Sequence, residues 1–336
     1  MMPVAIDLFC GAGGLAFGVK ASGIPVQLGV DHDSHALASF RRNVKASGLL
    51  ADLTTLDPAS LVAAIDRDRP LLLTGGPPCQ LFSTLHQKRS PRSPAIAAYV
   101  RLVRSIRPDY LVLENVPNIV RSPQWTGLLN SLSACGYHLW AGIVDMRSLG
   151  LPQKRRRLVL IGSRQGLLVP RWSPRPEVSV RMAIGHLPSQ DPEIPNHEFM
   201  TLSASNLARI RKLRKDGQRS RVSGPFPDAY SRMAWDEPAP TITTRAISFS
   251  NGRFGHPHFD RALSVREAAL LQGFPADFVF EGTLWQAARQ VGNAVPPVLG
   301  RLLGRLVRRH VAGSYVIPST ASRTAKEILR RSPQRR

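Results

Sequence analysis

The chain has 336 residues, 43% of them hydrophobic, and carries 45 Lys and Arg against 23 Asp and Glu, a formal net charge of +22. That length supports one large core plus a smaller domain, and the charge points to a polyanionic partner, most often nucleic acid, with a merely soluble basic surface as the plainer reading. Three scattered cysteines (Cys10, Cys79 and Cys135) match no zinc spacing, exclude a disulfide framework and fit a reducing compartment. No apolar run reaches the ~18 residues of a membrane span, and Met1 to Phe9 lacks the features of a signal peptide.

The chain opens with Val4 to Phe9, a strand-like apolar run. Cys10-Gly11-Ala12-Gly13-Gly14 then makes a glycine-rich turn, and Leu15 to Ser22 reads as a helix. Val26 to Val30 is a second strand that ends in Asp31, twenty residues beyond Gly11. A glycine turn between strand and helix, with an acid at the end of the next strand, suits an adenosine-type ligand. A plain tight turn is the alternative. The glycines stand at 11, 13 and 14 rather than in the dinucleotide pattern, which leaves room for an adenosine cofactor without phosphates, such as S-adenosylmethionine.

Ser34 to Ala46 reads as a basic helix, and Asp52-Leu53-Thr54 as the end of a third strand. Asp52 is there either an adenine ligand or a helix N-cap. After a short helix, Leu61 to Ile65, the buried run Leu71-Leu72-Leu73 leads into Thr74-Gly75-Gly76-Pro77-Pro78-Cys79-Gln80-Leu81-Phe82-Ser83. Cys79 thus follows the carboxyl end of a strand, where open α/β sheets bind and transform ligands. For a cysteine in isolation a buried structural role is the commoner one. Residues 85–94 read as an exposed loop, Ala95 to Ile106 as a helix, and Asp109 to Leu113 as a strand that delivers Glu114. Glu114 is a second reactive side chain at a strand end, or else a capping or salt-bridged acid.

Leu128 to Cys135 reads as a helix and Leu139 to Val144 as a strand. Gln153-Lys154-Arg155-Arg156-Arg157 then opens the strand Leu158 to Gly162. It is either a solvated basic turn or, with Arg155 and Arg157 alternating inward, a clamp for a carboxylate or carbonyl oxygen. From about residue 163 prolines become dense, and Asn206 to Arg221 crowds seven basic residues around few apolar ones. This stretch reads as a separate, irregular module with a basic face. Val265 to Gly273 reads as a helix, Gln290 to Pro297 opens a final helix over Val298 to Val311, and 313–336 reads as a basic, disordered tail.

Six of these pieces, in this order, resemble the cytosine-C5 DNA methyltransferases. They are Asp7-Leu8-Phe9-Cys10-Gly11-Ala12-Gly13-Gly14, Gly76 to Ser83, Glu114-Asn115-Val116, Gln153-x-Arg155-x-Arg157, Arg266 to Pro275, and Gly292-Asn293-Ala294-Val295-Pro296. The resemblance implies an α/β, Rossmann-like S-adenosylmethionine-dependent sheet with a second, smaller, irregular target-recognition domain. The expected boundaries are 1–175 and 262–312 for the catalytic domain, 176–261 for target recognition, and 313–336 for the tail.

It implies that Cys79 attacks carbon 6 of a flipped-out cytosine in duplex DNA, that Glu114 holds or protonates ring N3, and that Arg155 and Arg157 contact the base oxygen and orient the nucleophile and acid. Phe9, Gly11, Gly13, Asp31, Asp52, Pro77, Asn293 and Val295 would bind S-adenosylmethionine. No metal is implied. Double-stranded DNA is the expected partner of a monomer acting in a bacterial cytoplasm, at the nucleoid, with or without a cognate restriction endonuclease. Residues 81–98 are the expected closing loop. Within it the family's Asp-x-Arg-x-x-Leu is replaced by Ser90-Pro91-Arg92-Ser93-Pro94-Ala95, which puts one cofactor contact in question.

Overall fold

Apolar runs buried along their whole length build the sheet that positions the site. The computed structural model describes residues 1–66, 68–78, 93–217 and 228–315. In chain order the elements are β1 (Val4–Leu8), α1 (Gly14–Lys20), β2 (Val26–Asp31), α2 (Ser34–Val44), β3 (Ser47–Leu50), α3 (Pro58–Ala63), β4 (Leu71–Gly75), α4 (Pro94–Ile106), β5 (Tyr110–Asn115), α5 (Pro123–Ala134), β6 (His138–Asp145) and β7 (Arg156–Ser163). There follow α6 (Val180–Ile184), α7 (Ala204–Lys212), α8 (Val265–Leu271), α9 (Leu284–Asn293) and α10 (Pro297–Val311).

Two compact units divide the chain. The first holds Met1–Val144, Arg156–Trp172 and the residues from Leu299 on; the second holds Asp145–Arg155 and Ser173–Val298. In the first, the seven strands found among the described residues form one sheet in the order β3-β2-β1-β4-β5-β7-β6. β1, β2, β3, β4 and β5 pair in parallel, and β7 pairs antiparallel to β5. This is the Rossmann-like α/β sheet that the motifs imply. Every residue of β1, β4 and β5 is buried, as expected of strands covered on both faces.

Local chemistry sets the helix starts. Asp33 caps α2 by accepting from the backbone N–H of His35 and Ala36 at 3.0 and 3.1 Å, and Asp57 caps α3 ahead of Pro58. α4 is amphipathic, burying Ile96, Tyr99, Leu102, Val103 and Ile106 in the main core. The core ring of Phe40 fills the space where Gly13 and Gly29 lack side chains: a Cβ at Gly29 would lie 2.4 Å from it.

The second unit is mostly irregular, with short helices. Its interior is polar as well as apolar. Arg232 is fully buried and donates to the carbonyls of His256, Phe259 and Ile210. Glu267 accepts both arms of Arg261 at 2.7 Å and closes a capping box with Ser264 at the start of α8. Burial holds the His256 imidazole down to about 3, so it is neutral.

Several elements differ from the sequence reading. β3 ends at Leu50, before Asp52, because Ala51 closes the ladder on the Asp31 carbonyl at 3.0 Å and Asp52 then turns the chain. α4 starts at Pro94, so positions 94–98 of the expected closing loop are helical. α5 begins at Pro123 rather than Leu128. α7, Ala204–Lys212, is a helix at the head of the basic stretch that reads as irregular. Gly292 and Asn293 end a ten-residue helix, α9, instead of opening the last one. Tyr315, assigned to the tail, is hydrogen-bonded to both backbone groups of Val169. The tail from 316 on, and Cys79 to Arg92, lie outside the described residues. Among the described residues no helix is long and apolar enough to cross a membrane.

Candidate active site

In the first unit five parallel strands deliver their carboxyl ends to one edge of the sheet, and most of the expected site residues fall there. At the end of β1 the chain bends sharply: Phe9, Gly11 and Gly13 all have positive φ, of 54°, 52° and 91°. For Phe9 this is the left-handed region, which costs a non-glycine residue about 1 kcal/mol. Two backbone bonds secure the bend, Cys10 N–H to Val30 O at 3.1 Å and Gly13 N–H to Cys10 O at 2.8 Å.

Asp31, at the end of β2, reads this turn directly. Its Oδ2 accepts from Gly11 N–H at 2.8 Å and its Oδ1 from Asp33 N–H at 2.9 Å. Asp52 follows β3, the next strand out. It is exposed, and one of its oxygens takes both Thr54 N–H and Thr54 Oγ1–H at 2.8 and 2.7 Å. Those two bonds to Thr54 lower its pKa.

On the other side of β1, β4 ends in Gly75 and leads to Pro77 and Pro78. Asn115, the last residue of β5, donates from Nδ2 to the Pro77 carbonyl at 3.0 Å and accepts from Val116 N–H through Oδ1. It is buried. One side chain therefore fastens the proline turn to the end of the neighbouring strand. Asn115 stands inside the Glu114-Asn115-Val116 motif, but a link across strands has no signal in one segment.

Glu114 precedes Asn115 on β5. Arg157 stands near the start of β7, and since β7 runs antiparallel to β5 its first residues lie beside the last residues of β5. Arg157 Nε lies 3.0 Å from Glu114 Oε1, with side chains only 14% and 9% exposed, so the pair is shielded from water. Arg157 Nη1 also donates to the Arg156 carbonyl at 2.8 Å, which fixes the plane of the fork.

Behind this edge lies Asp7, fully within the sheet. It accepts from Thr74 Oγ1 at 2.6 Å, and burial pushes its carboxyl up to about 7. Cys10 is buried next to the turn, and burial raises its thiol well above the ordinary value.

Arg155, Asn293 and Val295 belong to the second unit. There the guanidinium of Arg155 is buried and donates to the carbonyls of Ile242 at 3.2 Å and Ala294 at 3.0 Å. Asn293 ends α9 with its side chain exposed, and Val295 is buried two residues on. Gln153 and Gln272 join this cluster; each stands in one of the family motifs, but nothing in a single segment shows which groups its amide bonds. Cys79 lies outside the described residues.

Comparison with known proteins agrees with this layout. The family model for C-5 cytosine-specific DNA methylase matches residues 4–308. The type II methylase M.HgiDII of Herpetosiphon aurantiacus is 34% identical, over 94% of this chain and 98% of its own. The type II methyltransferase M1.HphI of Haemophilus parahaemolyticus is 32% identical, over 90% of this chain and 86% of its own. Among solved structures, an E. coli prophage-encoded protein described as a DNA modification methyltransferase shares the fold with a TM-score of 0.74 at 24% identity, over 93% of this chain and all of its own. With the family model spanning nearly all of the described sheet and the second unit, the chain belongs to the C-5 cytosine-specific DNA methylases, enzymes that use S-adenosylmethionine as methyl donor.

Proposed function

We propose that this enzyme methylates carbon 5 of a cytosine flipped out of duplex DNA at a specific site, through a covalent bond between Cys79 and carbon 6. The observation that carries this reading is the shielded Glu114–Arg157 pair at the end of β5, beside the proline turn that leads into Cys79. Carbon 5 of cytosine is a poor nucleophile. Addition of the Cys79 thiolate to carbon 6 moves the ring electrons to carbon 5, which can then attack an electrophilic methyl group. Glu114 would hold ring N3 so that negative charge does not accumulate, and Arg157 would hold Glu114 and the base oxygen. Loss of the carbon-5 proton then returns the electron pair and expels the thiolate. A base within a stacked duplex is out of reach of a thiol, which is the reason for flipping.

The residues at the sheet edge fit S-adenosylmethionine. Among the described residues nothing lies within 4 Å of where a Cβ on Gly11 would stand, so these residues leave open space above the turn. Asp31 uses one lone pair on each oxygen for the backbone, with the exposed His32 Nδ1 3.5 Å from Oδ1, and its Oδ2 keeps a lone pair for a ribose hydroxyl. Phe9, Gly13 and Pro77 would line the same cleft, and Asp52, with one oxygen committed to Thr54, would take the adenine amino group through the other. Asn293 and Val295 are proposed as further contacts. When bound, the cofactor supplies the electrophilic methyl group on its sulfonium.

We read 1–175 with 262–312 as the catalytic domain, 176–261 as the target-recognition domain, and the enzyme as a monomer acting on double-stranded DNA at the bacterial nucleoid. The type II names of its relatives support a place in a restriction–modification system, with a cognate endonuclease acting on the same sequence.

A duplex carrying 5-fluorocytosine at the target position tests the mechanism. Fluorine at carbon 5 cannot leave as a proton, so a covalent protein–DNA adduct that survives denaturation is expected with S-adenosylmethionine present. Cys79→Ala should abolish both adduct and turnover; turnover persisting in that variant would overturn the covalent route.

A further inference from the structure

The second unit contains a buried polar cluster built from four segments far apart in sequence. Gln153 and Gln272 are fully buried and Arg155 is nearly so. Ala294 O accepts from Gln272 Nε2 at 2.8 Å and from Arg155 Nη2 at 3.0 Å, which occupies both of its lone pairs. Gln272 Oε1 accepts from Gln153 Nε2 at 2.6 Å, and that same nitrogen donates to Leu271 O at 2.9 Å. Gln153 Oε1 accepts from Ile242 N–H at 2.9 Å, while Arg155 Nη1 donates to Ile242 O.

The orientation of each amide is forced. Gln272 must present its nitrogen to a carbonyl, so its oxygen faces Gln153, whose own oxygen must then face the Ile242 N–H. The chain of bonds has one polarity and ends on one atom, the carbonyl of the residue between Asn293 and Val295. A second constraint acts on the same turn. A Cβ on Gly292 would lie 2.2 to 2.5 Å from the backbone of Thr243 and Thr244, so those strands of backbone touch directly. At Ala294 the chain leaves the helix in an extended conformation, held on both sides.

We infer that Gln272 and Arg155 are positioning residues that set the Asn293–Val295 turn for cofactor binding, Arg155 acting through Ala294 rather than on the base. This rests on the proposal that Asn293 and Val295 contact S-adenosylmethionine. A buried carbonyl that loses a donor reorients or stays unpaired, and either outcome would be read as weaker cofactor affinity.

Calorimetric titration of the full-length protein with S-adenosylmethionine, without DNA, tests this on three variants. Gln272→Met keeps the volume and removes the donor. Arg155→Lys keeps the charge and removes the fork, so it can reach only one of the two carbonyls. Asn293→Ala removes the proposed contact itself. Each is expected to weaken cofactor binding, the first two by about tenfold, with KM for the cofactor rising by a larger factor than kcat falls. Thermal melting reports any loss of folded protein, and Arg155→Lys carries the test if Gln272→Met does not fold. If Asn293→Ala weakens binding and the other two do not, the positioning inference fails alone. If Asn293→Ala leaves affinity unchanged, the contact reading beneath it fails. A drop in kcat for Arg155→Lys at unchanged cofactor affinity would return Arg155 to the base.

Discussion

Asp7 shows how one buried side chain can make stability depend on pH. It lies on β1, between β2 and β4, with its carboxyl bonded to Thr74 Oγ1 and titrating at about 7 instead of 3.8. Between those two pH values the folded chain holds a proton that the unfolded chain has lost. The contribution is therefore fully present below about pH 4 and is lost as pH rises to about 7. Asp7→Asn removes the titration, so its stability relative to wild type should rise from pH 4 to pH 7 and then level off. Urea unfolding across that range checks it, and a constant difference would refute it. Asn115 is the second residue-scale case. Asn115→Ala leaves the buried Pro77 carbonyl without its donor, at a cost of about 1–3 kcal/mol. It should lower kcat more than it weakens cofactor binding, because the turn it holds leads to Cys79; steady-state kinetics with calorimetry separates the two.

At the scale of elements, α10 packs inside the first unit through glycines. Gly300 and Gly304 lie one helical turn apart and face α1. A Cβ on Gly300 would meet Leu15 O at 2.2 Å and Val19 N at 3.0 Å, all backbone that cannot yield. A Cβ on Gly304 would meet Ser22 Oγ at 2.2 Å and Ser22 Cβ at 2.9 Å, a single small side chain whose hydroxyl would have to leave Val19 O. Gly300→Leu should therefore cost at least the 1–3 kcal/mol typical of overpacking, and Gly304→Ala markedly less. Denaturant midpoints of the two variants test this order. The glycine spacing is visible in the sequence, but its partner, α1, is not. α9 is a different case: Ala287, Ala288, Gln290 and Val291 are buried at helical spacing, but these residues are small or polar and make no apolar run, and the Thr243 and Thr244 backbone that Gly292 meets lies far off in sequence. The antiparallel course of β7 was also not legible. It is what brings Arg157 to Glu114.

For the whole molecule the excess of positive charge has one measurable consequence. Each phosphate neutralised releases counterions, so the logarithm of the DNA-binding constant should fall linearly with the logarithm of salt. For six to ten contacts the slope would be about −5 to −9; a slope near zero would mean that the basic surface lies away from DNA. Not all of that charge is available. Asp260 receives Lys215 at 2.7 Å and Arg232, with Arg211 at 3.9 Å, so part of the basic stretch that begins in α7 is already paired. A run of like charges in sequence does not show which members have partners, because an acid some forty residues away can answer them.

The sequence by itself determined the fold class, the family and the residues at the strand ends. Short motifs record them, since a strand buried on both faces, a glycine turn with positive φ and a strand-end acid each leave a local trace. Only the tertiary structure decided what those residues do to one another. Glu114 meets Arg157 because β7 is antiparallel, Asn115 holds Pro77 because β4 and β5 are neighbours, and Arg155 ends on Ala294 because two buried glutamines complete the network. Hydrogen bonds between segments a hundred residues apart depend on packing, and packing has no period in the chain.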